Sequence, residues 1–145
     1  MAHAEGIEVI NRSPADVFAF LANGENNSKW RPMVLETTHA PGTPEGRGAI
    51  YRQRTAGPVG WWMERDYEIT EYQPGSRLAF QVVAGPARAR GCYELEPTET
   101  GTRVHFSLDW EPHGFARLFS HAVEREMPRE IAMLPRLRYA LEHAP

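Results

Sequence analysis

Cysteine is nearly missing from this chain: Cys92 is the single one among 145 residues. That excludes an internal disulfide and any cysteine-rich zinc site, and an unpaired thiol fits a reducing compartment. Long apolar runs are missing too. No stretch approaches the roughly 18 apolar residues a membrane span needs, and no basic region followed by an apolar run opens the chain, so a cytoplasmic protein without a membrane span is expected. Positive charge is not in excess. A formal net charge of -3 leaves no electrostatic footprint for DNA or RNA, so no nucleic-acid partner is expected. The histidines show no metal-ligand spacing, and no metal or other cofactor is implied. The glycine-rich turns lack the lysine and the strand-to-helix context of a phosphate loop, and Gly46-Arg47-Gly48 fits the start of a strand better. Repeats and low-complexity segments are absent.

What is present fits one domain spanning 1–145, since this length buries about two-thirds of the unfolded surface in a single core. Gly6 to Asn11 reads as a first strand. A helix follows, with Ser13 at its N-cap, Pro14 at the first helical position, Asp16 in the first turn and Val17, Phe18, Phe20 and Leu21 on the buried side. It ends at Asn23-Gly24, and Glu25 to Lys29 makes a further helical turn before Trp30 and the Pro32 stop. Six strands come next: Met33 to His39, Ala49 to Thr55, Trp61 to Glu71, Arg77 to Val83, Ala87 to Glu96 and Thr102 to Glu111, separated by Gly/Pro turns. Short links between consecutive strands imply an antiparallel meander.

Directly opposed residues of an antiparallel pair have position numbers that add to a constant, so register can be tested. In the last hairpin a sum of 199 sets Glu96 opposite Arg103, Glu94 opposite His105, Arg90 opposite Asp109 and Arg88 opposite Glu111. Those four complementary pairs mark an outer face. Leu95, Tyr93, Gly91 and Ala89 then oppose Val104, Phe106, Leu108 and Trp110 on the core side. For the third and fourth strands a sum of 116 pairs Arg52 with Glu64 and Arg54 with Trp62 outside, leaving Tyr51, Gln53, Met63, Arg65, Tyr67 and Ile69 inward. Leu78, Phe80 and Val82 face inward on the next strand. The small Ala89 and Gly91 opposite them leave space that a curved sheet encloses as a cavity.

Gly114 to His143 reads as one long amphipathic helix and the natural lid. Phe115, Phe119, Val123, Leu134, Leu137 and Leu141 share a face, and Glu126 and Glu130 fall within it. Pro128 and Pro135 project from the solvent side and bend the helix.

The order strand, two short helices, six-strand meander, long helix is carried by particular residues. They are Ile7 to Phe18, Trp30-Arg31-Pro32, Tyr67 to Gly75, Arg77-Leu78-Ala79-Phe80, Tyr93 to Pro97 and Gly101 to Val104. The chain resembles the START and pollen-allergen (SRPBCC) superfamily, polyketide cyclase/dehydrase branch. That resemblance implies an α+β helix-grip fold: a curved antiparallel sheet of about seven strands, two short helices after the first, and a long kinked C-terminal helix covering a cavity. It implies a hydrophobic or aromatic small molecule as partner. It carries over no catalytic set, because the family spans carriers and cyclases and fold does not fix chemistry.

Arg65, Glu126 and Glu130 are the candidate catalytic residues. An inward guanidinium needs a partner, either one of the two glutamates or a ligand carboxylate or enolate oxygen; an Arg65 reaching the rim or moved outside by a bulge is the plainer alternative. The i, i+4 spacing of the glutamates places two carboxylates on one face, where a desolvated acid can move protons, unless the Pro128 bend turns one of them out. Tyr51, Tyr67, Phe80, Tyr93, Phe106, Trp110, Phe119 and Met127 are the candidate ligand-binding set, equally compatible with an ordinary core whose hydroxyls reach backbone carbonyls. Trp61 and Trp62 at a hairpin tip would gate entry or make a surface or homodimer contact. His105 and Asp109 lie outside opposite Glu94 and Arg90 as solvated pairs, and Cys92 is a passive thiol. Three functions remain open: a cyclase or dehydratase working by acid and base, a non-catalytic carrier using the same cavity, and a protein-binding member with a vestigial cavity.

Overall fold

The computed structural model describes residues 2–57, 61–85, 88–111 and 114–144, and the side chains of 115, 116 and 119 lie outside that description. Its strands are β1 (Ala2–Ile10), β2 (Val34–His39), β3 (Ile50–Ala56), β4 (Trp62–Glu64), β5 (Tyr67–Gln73), β6 (Arg77–Val82), β7 (Arg90–Pro97) and β8 (Thr102–Trp110). All pair antiparallel in the order β1-β8-β7-β6-β5-β3-β2, with β4 on the end of β3. Helix α1 (Pro14–Ala22) and a 3-10 turn (Gly24–Lys29) link β1 to β2. After β8 come a second 3-10 turn (Gly114–Phe119), α2 (Ser120–Ile131) and α3 (Leu134–Glu142). This is the helix-grip arrangement.

Local sequence explains most boundaries. The Ser13 hydroxyl accepts from the Asp16 amide at 3.1 Å, capping α1 where Pro14 has no donor to satisfy. Asn23 ends α1, and its side chain in turn accepts from the Glu25 amide and caps the 3-10 turn. The register of β7 against β8 is the expected one from Glu96 opposite Arg103 to Arg90 opposite Asp109, but β7 begins at Arg90, so the ladder does not extend to the expected pair of Arg88 and Glu111.

Two elements differ from the sequence reading. The strand expected over Trp61 to Glu71 is broken at Arg65 and Asp66, and its register on β3 sums to 118 instead of 116: Arg54 opposes Glu64 and Tyr51 opposes Tyr67. A slip of two preserves every residue's face, so Arg65 and Tyr67 stay on the inner side while the named partners change. The C-terminal helix is two helices. Pro128 sits inside α2, and the interruption falls at Ala132 and Met133, just before Pro135. Pro135 offers no N–H to the carbonyl of Ile131 and its ring crowds that turn, so the helix restarts at Leu134.

The core lies between the inner face of the sheet and the helices. Val104, Ile10, Val17 and Leu137 are fully enclosed, and Phe106, Tyr93, Leu78 and Ile69 line the sheet side. In the first half of β1 the inward residues, Ala2, Ala4 and Gly6, are small. A Cβ at Gly6 would lie 2.5 Å from Cγ2 of Ile131, so the absent side chain is what lets α2 and α3 lie close on β1. Among the described residues no helix is long and apolar enough to cross a membrane.

Candidate functional site

The inner face carries a connected row of rings, because alternate residues of neighbouring strands point the same way. Tyr51 stacks on Tyr67 with centroids 5.4 Å apart, Tyr67 meets Phe80 edge-on at 5.5 Å, and Phe80 leads on to Tyr93 and Phe106. Tyr93 and Phe106 stack at 4.3 Å. Phe80 changes one expectation. Its ring lies directly over Gly91, where any Cβ would overlap it, so the space that Gly91 was expected to leave open is filled by Phe80. Trp110 and Met127 are buried at the same interface, 3 % and 4 % exposed. Phe119 lies outside the described side chains.

Two of the tyrosines are anchored by the segment from the end of α1 through the first 3-10 turn. The Tyr51 hydroxyl donates to the Ala22 carbonyl at 3.2 Å. Nδ2 of Asn27 donates to the Tyr67 hydroxyl and to Oε1 of Gln53, both at 2.8 Å, and Thr37 donates to the same Gln53 oxygen. Asn27, Thr37 and Gln53 are buried polar residues that satisfy one another, a network that fixes the turn against the sheet. Burial pushes the Tyr67 and Tyr93 phenols well above the ordinary tyrosine range, the Asn27 hydrogen bond and the Arg31 charge opposing it at Tyr67 and Arg31 opposing it at Tyr93. Both are neutral phenols at any physiological pH.

The charged residues fall out differently from the expectation. Glu130 faces the interior, but its partner is Arg31: Nη2 of Arg31 donates to Oε2 of Glu130 at 2.5 Å, with the two side chains 19 % and 30 % exposed. Burial opposes the Arg31 charge, and Glu130 with Tyr93 and Tyr67 beside it more than offsets this, holding its pKa above the ordinary value. Glu126 does not face inward. Its carboxylate points to solvent and pairs with Arg129 at 3.3 Å, one turn along the same helix. Two carboxylates side by side on the inner face are therefore not what the helix presents.

Arg65 occupies the inner face at the break between β4 and β5, its amide donating to the Gln53 carbonyl at 2.7 Å. Among the described residues it makes no ion pair, and its Nε is buried without a hydrogen-bond partner. Burial lowers the Arg65 pKa, Arg31 adds to this, and Glu130 and Glu126 work against it. The only other such buried side-chain atom among the described residues is Nε1 of Trp30, whose ring is 3 % exposed.

The outer face behaves mostly as expected. His105 pairs with Glu94 at 3.8 Å and also with Glu5 at 3.3 Å. Asp109, expected to meet Arg90, instead accepts from His3 of β1 at 2.6 Å, because the N-terminal strand runs further back than Gly6 and brings His3 opposite it. Among the described residues no group of three or more His, Cys, Asp or Glu could hold a metal ion. Burial raises the Cys92 thiol pKa, consistent with a passive thiol. Two surface concavities, of about 220 and 400 Å³, lie on this outer side: one among Arg52, Arg54, Glu64 and Asp66, the other among Arg77, Ala79, Arg90 and Cys92. Trp61 and Trp62 are exposed, with the Arg54 guanidinium 5.3 Å over the Trp62 ring.

Reasoning from the sequence missed Arg31 and Asn27 as parts of this interior. Strand parity turned Gln53 inward, but nothing local marks Asn27 or Arg31 as buried, since their partners lie 26 and 99 positions away.

A family model described as polyketide cyclase / dehydrase and lipid transport matches residues 1–137. Comparison with the curated proteins finds no match by sequence. Among solved structures, TTHA0849 from Thermus thermophilus superposes with a TM-score of 0.78 at 20% identity, covering 98% of both chains. Ara h 8.0201 gives 0.74 at 14% identity over 97% of this chain and 98% of its own. The di-domain ARO/CYC StfQ from the steffimycin biosynthetic pathway gives 0.72 at 11% identity, over 97% of this chain and 50% of its own. At these identities the likeness is one of fold, and the family rests on the model match: the chain belongs to the polyketide cyclase / dehydrase and lipid transport family of helix-grip proteins.

Proposed function

We propose that the protein binds a hydrophobic or aromatic small molecule between the inner face of its sheet and the C-terminal helices. The observation that carries this reading is the unsatisfied polar interior. A core built only for stability would leave Arg65 out or give it a carboxylate, because a buried charge without a partner is costly. Here it is kept on a face otherwise made of Tyr67, Phe80, Tyr93 and Phe106, the kind of aromatic wall with a few convergent polar groups that small ligands use. Membership of a family described by polyketide cyclase and lipid transport supports the same reading.

On this proposal Tyr67, Phe80, Tyr93, Phe106, Trp110 and Met127 contact the ligand body, and the Phe80 ring moves off Gly91 to admit it. Arg65 and Glu130 are the groups placed to polarise a carbonyl and to move a proton. Tyr51 has its hydroxyl committed to Ala22 and serves as support. Glu126 has no part, being paired with Arg129 at the surface.

One observation favours a second reading, carriage without turnover. Glu130 is already engaged by Arg31 at 2.5 Å, and a proton transfer through Oε2 would have to break that contact. Native mass spectrometry of protein purified from its source separates the two: the binding reading predicts a co-purifying small molecule. Loss of its conversion in Glu130→Gln supports the cyclase or dehydratase reading, and unchanged retention by both proteins supports the carrier.

A further inference from the structure

The first strand is held differently at its two ends. Its second half is anchored by the fully enclosed Ile10, by Arg138 of α3 against Glu8 at 3.6 Å, and by the Asn11 amide donating to Glu142 at 2.8 Å. The first half turns only Ala2, Ala4 and Gly6 inward, and β1 is an edge strand with β8 as its one neighbour. Its side-chain ties to β8 lie on the outer face, and among the described residues each of them runs through an imidazole. His3 reaches Asp109 through Nδ1 and Glu5 through Nε2, both at 2.6 Å, while His105 reaches Glu5 at 3.3 Å and Glu94 of β7 at 3.8 Å. A neutral imidazole has one N–H and one lone pair, so His3 donates to both carboxylates only when protonated. The permanent cations nearby are placed elsewhere. Arg77 lies against Glu71 and Glu94, Arg103 against Glu96, and Arg90, opposite Asp109, makes no ion pair among the described residues. With the imidazoles neutral, Glu5 and Asp109 are neighbouring carboxylates that no cation answers.

We propose that this network is a proton-operated clasp on the strand that seats α2: with the imidazoles charged the first half of β1 is fixed and the interior is closed, and with them neutral that half and α2 loosen together. The coupling is steric. A Cβ at Gly6 would lie 2.5 Å from Cγ2 of Ile131 and 3.4 Å from Cδ1 of Leu134, so the end of α2 and the start of α3 rest on the backbone of this half with no side chain between. A shift of the strand therefore reaches the helix without being absorbed by a change of rotamer. The direction follows from the proton balance. Hydrogen bonds to Glu5 and then Asp109 raise the His3 pKa above 6.5, so its contribution is complete below 6.5 and is lost as pH rises through the higher folded-state value. The clasp governs access to the interior and does not depend on what binds there.

Amide hydrogen exchange of the ligand-free protein tests this at about pH 6 and about pH 8.5, expressed as protection relative to an unstructured chain so that the pH dependence of the exchange chemistry cancels. Protection of the amides in the first half of β1 and in α2 is expected to fall about fivefold or more over that range, while amides of β5 and β6 change by less than about twofold. His3→Gln combined with His105→Gln is expected to hold β1 and α2 at the high-pH level at both values. Wild-type protection that does not change with pH overturns the inference. So does a fall confined to β1, an equal fall in β5 and β6, or a pH dependence that persists in the double variant. Should that variant fail to fold, judged by its melting curve, the wild-type midpoint decides: the fall in α2 protection is expected to coincide with the His3 midpoint seen by NMR, and a midpoint elsewhere overturns the clasp.

Discussion

Glu126 and Glu130 differ by one helical turn, yet one is at the surface and the other inside. The reason is angular. On an ideal helix Glu130 lies about 20° and Glu126 about 60° from Val123, so the buried residues of α2, Val123 and Met127, have Glu130 beside them and Glu126 further out at their edge. Sequence spacing alone placed both in the stripe, and the narrower stripe set by Met127 is what separates them. Glu126→Gln is therefore expected to change stability by less than about 0.5 kcal/mol, an exposed pair contributing little. Glu130→Gln should cost about 1–3 kcal/mol, less than for a fully buried pair because both partners keep some exposure, and Arg31→Met should cost less when made together with it. Urea denaturation of these variants checks this, and equal effects of the two glutamines would contradict the placement. His3 makes a second residue-scale case. Its hydrogen bonds to Glu5 and then Asp109 raise its pKa above 6.5. A raised folded-state pKa means that the stabilising contribution is complete below the unfolded value and is lost as pH rises through the folded one. An NMR titration of His3 should show its midpoint above 6.5, moving down in Glu5→Gln.

At the scale of elements, the sequence was most readable where several polar pairs had to agree. The β7–β8 register emerged because a run of complementary charges satisfied one sum, whereas β3 against its partner offered only two pairs, and the true pairing lies two residues away with each face preserved. The break at Arg65 and Asp66 left no such trace. It is held by tertiary contacts, the Gln53 amide donating to the Asp66 carboxylate at 3.1 Å and the Arg65 amide to the Gln53 carbonyl. The helix break had the opposite character: both prolines were visible, but which one would interrupt the helix depended on the packing of α3 against β1. Phe80 and Gly91 provide the test at this scale. Gly91→Ala places a methyl group into the Phe80 ring and is expected to destabilise by about 1–3 kcal/mol. Phe80→Leu should relieve much of that cost when combined with it, and additive costs measured by thermal or urea unfolding would show that the ring does not rest there.

For the whole molecule, the fold was legible from element order, turn chemistry and alternation, because those are local and repeat along the chain. The interior charge arrangement was only partly so. Arg65 was found by strand parity, but Arg31 follows a short 3-10 turn with no periodic pattern to give its direction, and it is brought to Glu130 only when the turn folds under the sheet. The arrangement that results is a half-enclosed aromatic face with an unanswered guanidinium, gripped by two short helices where one long one was expected. The central claim is that ligand binds on this inner side. Methyl NMR with the five methionines labelled, together with backbone amide shifts, tests it on addition of 2-naphthoate. The largest perturbations are expected at the buried Met127 methyl and at the Arg65, Tyr93 and Phe106 amides. Perturbations confined to Ala79, Gln81 and Cys92, which line the outer concavity, would place the ligand on the wrong side of the sheet and contradict the account.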